Sequence, residues 1–145
     1  MNNIVVDASA WLEYLNGTKE GELVKKILNN TNNMLFTNNV TLSEVVSVAK
    51  RRGKDAEVAA KAVLNLSQIY EGNVLFFKEI GLLHAELRKK IPHFPLADAF
   101  VLLTAKKLKD EGKTVIGGSP YTDKLEDDRA FGQQELKKFG VSTIS

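Results

Sequence analysis

Asp7, Glu44 and Asp98 are the side chains whose type and setting in this sequence could carry a reaction. Asp7 ends the β-branched run Ile4-Val5-Val6 and opens Ala8-Ser9-Ala10-Trp11-Leu12-Glu13-Tyr14-Leu15, whose apolar spacing is helical. A carboxylate between a strand and a helix stands where open α/β sheets bind ligands, and it is equally a favoured N-cap for the helix that follows. Glu44 closes Thr41-Leu42-Ser43-Glu44, the pattern of a capping box. Capping is the plainer reading of that residue taken alone, although Val48 one turn later means that its helix face is not wholly wet. Asp98 is set among Val101, Leu102 and Ala105 in a segment apolar almost all round, which reads as a buried helix. An isolated carboxylate there is costly unless it is paired, hydrogen-bonded or bound to a metal, and a first-turn position offers only partial relief through the helix dipole.

Carboxylates that converge repel one another and take up protons unless a cation lies between them. The chain has no cysteine, which excludes disulfides, thiolate zinc sites and thiol nucleophiles. A set of oxygen ligands fits Mg²⁺ or Mn²⁺, held through carboxylates, waters and substrate phosphates. The chemistry implied is phosphodiester hydrolysis, in which the metal activates a water and stabilises charge on the phosphorane and the leaving oxygen.

The elements that must position these acids alternate. Strands are expected at Ile4–Val6, Met34–Thr37, Val74–Phe77, Thr114–Ile116 and Val141–Ile144. Between them helices are expected at Ala8–Leu15, Lys19–Leu28, Thr41 to Gly53, Asp55–Ile69, Ile80–Lys90 and Leu96–Lys109, with a short one near Gln133–Lys138. Pro95 suits the first position of the helix that carries Asp98. Strands and helices in alternation with short connections predict a three-layer α/β sandwich around a central parallel sheet of about five strands. At 145 residues, with 43% hydrophobic and 26% charged residues, the expectation is one globular domain over 1–145. No apolar stretch approaches the ~20 residues that span a bilayer, so a soluble cytoplasmic protein is expected.

A net charge of +2 is too balanced to announce a polyanion partner through the global field. Basic residues nonetheless cluster at Lys50-Arg51-Arg52-Gly53-Lys54, Arg88-Lys89-Lys90 and Lys106-Lys107-Leu108-Lys109. Each cluster ends an expected helix, where cations suit the dipole, so solvated helix termini are the plainer reading and phosphate binding the sharper one. His84 and His93 have no partner at metal spacing. Trp11, Phe76, Phe77 and Phe100 fall within expected elements and read as core.

Val5-Val6-Asp7-Ala8-Ser9-Ala10, Val40-Thr41-Leu42-Ser43-Glu44-Val45 and Leu96-Ala97-Asp98-Ala99-Phe100-Val101-Leu102-Leu103-Thr104-Ala105 together resemble a PIN domain, particularly the VapC-type toxin nucleases. The resemblance spans nearly the whole chain and rests on the order and spacing of the motifs. It implies a metal-dependent endoribonuclease using Mg²⁺ or Mn²⁺, with Asp7, Glu44 and Asp98 at the first three acidic positions and Ser9 as the small hydroxyl residue that supports the first. By the same resemblance the substrate is RNA, a small antitoxin protein is the partner, and the assembly is a homodimer. One departure stands out. The family's fourth acid follows the fourth strand, where this chain reads Ile116-Gly117-Gly118-Ser119-Pro120-Tyr121-Thr122-Asp123. Ser119 aligns with that acid, and Asp123 reaches the site only from a rearranged loop. The competing reading is therefore a degenerate PIN-like domain that binds RNA or a protein partner without cleaving. A dehalogenase-type phosphatase would need an acid where Ser9 stands, and neither a GxGxxG fingerprint nor a GxxxxGK[ST] loop is present.

Overall fold

The computed structural model describes residues 2–110 and the strand backbones at 115–118 and 142–143. Strand β1 (Asn2–Val6) lies at the heart of the molecule because both of its faces are apolar. Ile4 and Val6 enter one core while Val5 enters another, as the two-residue period of a strand requires. The chain continues through α1 (Ala8–Asn16), α2 (Lys19–Asn29), β2 (Asn33–Asn38), α3 (Asn39–Arg51), α4 (Ala56–Leu66), β3 (Gln68–Tyr70), α5 (Val74–Lys90), α6 (Leu96–Asp110), β4 (Val115–Gly118) and β5 (Ser142–Thr143). The strands pair in parallel in the order β3-β2-β1-β4-β5, with short pieces at the two edges. On one face Ile4, Val6 and Leu35 pack against Trp11 of α1, Leu28 of α2, Val45 and Ala49 of α3, and Ala59 and Val63 of α4. On the other, Val5 and Phe36 meet Val101, Ala105 and Leu108 of α6, and α6 in turn packs on α5 through Phe76, Ile80, Leu87, Phe100 and Leu103. Two helical layers therefore enclose the sheet.

Three expectations are corrected. Val74–Phe77 is the first turn of α5 and not a strand: Asn73 caps it, its Oδ1 accepting from the Phe76 N–H at 2.9 Å. Four apolar residues in a row fit a strand or a helix equally well, and here only Phe76 enters the core, while Val74 is 83% exposed and Phe77 47%. The third strand is instead Gln68–Tyr70, cut from the expected end of α4. At that junction Ser67 adopts extended backbone and its Oγ bonds the Val63 carbonyl at 2.8 Å. Finally, α3 starts earlier than expected. Asn38 is its N-cap, accepting from the Val40 N–H at 2.8 Å, so Thr41 lies inside the helix and Thr41-Leu42-Ser43-Glu44 is not a capping box. Ser119, Asp123 and the expected helix at Gln133–Lys138 lie outside the described residues.

Candidate metal centre

The strand order determines where a ligand site can form. From β1 the chain builds β2 and β3 on one side, then returns to place β4 and β5 on the other, so the carboxyl ends of β1 and β4 border a topological switch point. Val6 pairs with Gly118 at the end of that ladder, and Asp7 is the next residue out. Helix α6 packs against β1 and against α3, which brings the elements bearing Asp7, Glu44 and Asp98 to neighbouring positions.

Asp7 is buried, and its Oδ1 accepts from the Ala10 N–H at 2.9 Å, so it does cap α1. Capping uses one oxygen of a side chain that has two. Asp98 sits in the first turn of α6, whose neighbours Ala99 to Ala105 are all buried, as its apolar sequence predicts. Its Oδ2 is buried without a hydrogen-bond partner among the described residues. Burial first, and then the negative charge of Glu44, push the Asp98 carboxyl up to about 7. Glu44 is half-buried on α3, and burial raises its carboxyl too. The charge of Glu44 is thus felt at Asp98. Ser9 is half-buried in the first turn of α1 and makes no side-chain hydrogen bond to Asp7 among the described residues. Nor do any three acidic or histidine side chains among the described residues form a closed ligand cluster.

A hard cation fits what is present. An unpartnered carboxylate oxygen inside the protein, its carboxyl raised further by the charge of a second acid, is a costly arrangement that a divalent ion relieves by supplying positive charge and a bond to oxygen. Glu44 and Asp98 are the paired candidates, with Asp7 at the adjoining strand end.

The residues that hold these acids in place were not evident from the sequence. Asn38, fully buried at the end of β2, caps α3 with its Oδ1 and donates its Nδ2 hydrogen to Thr104 Oγ1 of α6 at 3.0 Å. One amide thereby ties the helix of Glu44 to the helix of Asp98. Thr41, one turn before Glu44, is also fully buried, and its hydroxyl has no partner among the described residues. On the other side Trp11 Nε1 donates to Thr37 Oγ1 at 3.1 Å, and Thr37 shares a hydrogen bond of 2.7 Å with Ser67. The one available signal was Thr104, a lone polar residue on a helix otherwise apolar at its centre. His84 bonds the Phe94 carbonyl at 2.8 Å just ahead of α6, a packing role in keeping with the sequence.

The chain belongs to the PIN domain family, whose profile it matches over residues 4–112. PIN domains are nucleases. Among solved structures it is similar to VapC20 of Mycobacterium tuberculosis, described as a sarcin-ricin loop cleaving toxin, with 17% identity and a TM-score of 0.60 over 79% of this chain and 86% of that one. At this identity the likeness concerns the fold. No curated protein matches the chain.

Proposed function

We propose that the chain is a Mg²⁺- or Mn²⁺-dependent endoribonuclease, the toxin of a toxin–antitoxin pair, acting as a single domain with Asp7, Glu44 and Asp98 as its metal-holding acids. The observation that carries this reading is the buried, unpartnered Asp98 oxygen, under the influence of the Glu44 charge, in a PIN-family chain. When bound, the metal would supply an activated water and charge stabilisation at the scissile phosphate. The chain's own part is positional. The Asn38–Thr104 bond fixes the spacing of α3 and α6, the Asp7 cap fixes the start of α1, and burial around Asp98 keeps bulk water from competing for its oxygen. Without a cation, Asp98 is partly protonated at neutral pH, its carboxyl being pushed up to about 7, so metal binding displaces that proton and tightens as pH rises. RNA as substrate, a small antitoxin, homodimer formation and cytoplasmic residence follow from the VapC-type likeness. Among the described residues no helix is long and apolar enough to cross a membrane.

A second reading has its own support. No closed cluster of three acids forms among the described residues, and Ser119 stands where the family has a fourth acid. That favours a degenerate domain that binds RNA or a protein without cutting it. The experiment that separates the two is cleavage of single-stranded RNA by purified protein in Mg²⁺, Mn²⁺ or chelator, with a calorimetric Mn²⁺ titration alongside. Metal binding with cleavage that stops in chelator supports the nuclease. RNA binding without cleavage or metal uptake supports the degenerate domain.

A further inference from the structure

The basic clusters of the sequence do not share one fate. In the second, Lys89 pairs with Glu86 at 3.2 Å, and in the third Lys106 pairs with Asp110 at 3.3 Å and Lys107 with Glu79 at 2.8 Å. Lys50, Arg51, Arg52 and Lys54 are all exposed, and none has a carboxylate partner among the described residues. The helix dipole explains only part of this concentration. Its influence fades within the last turn, whereas Arg52 is the C-cap and Lys54 lies beyond α3.

The cluster also has a defined relation to the acids. Arg51 follows Glu44 by two helical turns on the same face of α3, about 10 Å along the axis at 1.5 Å per residue. Ser47 lies between them and is exposed. Beside that face an open groove of ≈ 750 Å³ runs between the end of α3 and the start of α4, lined by Ser47, Lys50, Lys54, Asp55 and Glu57 among others. Asp55 is committed to capping α4, accepting from the Glu57 and Val58 N–H groups at 3.0 and 3.2 Å. The groove thus sets two lysines against Asp55 and Glu57, and Arg51 and Arg52 add further exposed positive charge at the end of α3.

We propose that Lys50, Arg51 and Lys54 form a track for the sugar–phosphate backbone of RNA, holding the strand along α3 as it enters the edge bearing Glu44 and Asp98. The proposal rests on the ribonuclease reading. Charge complementarity selects the occupant: exposed cations without carboxylate partners among the described residues, gathered at the end of the helix that bears Glu44, match a polyanion whose charges repeat along a line. The track is indifferent to sequence, because no aromatic ring lines it to stack a base.

The test is binding of a labelled oligouridine, followed by anisotropy in chelator over a series of salt concentrations, together with steady-state cleavage in Mn²⁺. Each phosphate contact on a single strand contributes about 0.7 to the log–log salt slope. The triple variant Lys50→Ala/Arg51→Ala/Lys54→Ala should therefore lower the slope by about 2 and weaken binding at least about tenfold. It should raise KM while leaving kcat at saturating RNA unchanged. The control Lys19→Ala/Lys25→Ala/Lys26→Ala removes the same charge from exposed positions on α2 and should leave the slope intact. A wild type that cleaves RNA, with a triple variant indistinguishable from the control, overturns the track alone. A wild type that neither binds nor cleaves RNA overturns the ribonuclease reading and the track with it. A triple variant that keeps its RNA affinity but loses binding to a polyglutamate peptide makes the patch a dock for an acidic protein segment, and the proposal fails.

Discussion

At Asp98 stability pulls against the proposed metal-holding role. Its carboxyl titrates near 7 in the folded chain against an ordinary value of 3.8. Between those values the native state keeps a proton that the unfolded state has released, so metal-free stability falls as pH rises through that window. Below it both states are protonated and the penalty vanishes; above it the full cost is present. Asp98→Asn should accordingly melt higher than wild type above about pH 7 in chelator, with the advantage gone near pH 4, as read by thermal denaturation. The same variant should lose cleavage by at least about 100-fold, the scale at which losing even an outer partner of a metal site is felt. A variant that melts lower at alkaline pH yet still cleaves RNA would make Asp98 a structural residue. Glu44 offers a finer check, since its charge is the second cause of the Asp98 shift. Glu44→Gln should bring the Asp98 value down without restoring it to normal, because burial remains; carboxyl carbon NMR would follow the titration. An unmoved titration would separate the two acids and undo the pairing. The capping-box reading of Glu44 no longer competes, because Asn38 caps α3.

At the scale of elements, the Asn38 amide joins β2, α3 and α6 with two hydrogen bonds. Asn38→Ala removes a helix cap and strands a buried hydroxyl, at a combined cost of about 2–3 kcal/mol. Urea unfolding would measure that cost, and a loss under about 0.5 kcal/mol, the scale of an ordinary surface change, would mean that the tie is dispensable. Elements whose apolar pattern coincides with their burial were legible from the sequence: β1 from Ile4-Val5-Val6 and α6 from the run around Asp98. The start of α5 was not, because Val74 and Leu75 are apolar yet exposed, so hydrophobicity there carries no information about the core. The start of α3 was misread for another reason. Asn38 and Thr41 are both good capping residues, and only tertiary contact with Thr104 decides between them. The placement of Asp7 at a strand end and of Asp98 in a buried helix was legible. The cross-tie between helices could not, since it joins residues that are 66 positions apart.

For the whole molecule, the decisive feature is that β1 belongs to both cores, with Ile4 and Val6 on one side and Val5 on the other. Neither helical layer can detach without exposing the strand that the other also covers. Unfolding should therefore be one transition, with calorimetric and van't Hoff enthalpies in agreement. Two resolved transitions would instead mean that the layers are separate units. Ile80→Ala, at the fully buried contact of α5 with α6, should lower the stability of that single unit by about 2–5 kcal/mol without splitting it.

Trp11 is the chain's one tryptophan. It is fully buried one turn after Asp7 and holds Thr37 through its indole N–H. The protein therefore carries a built-in optical reporter whose emission comes from a single, dry, hydrogen-bonded environment. Selective excitation of that indole should give a blue-shifted spectrum that moves to the red on denaturation. Because Asp7 caps the same short helix, paramagnetic Mn²⁺ bound beside it should quench this emission while diamagnetic Mg²⁺ leaves its intensity nearly unchanged. The contrast would register occupancy of the edge in unlabelled protein, before any substrate is added.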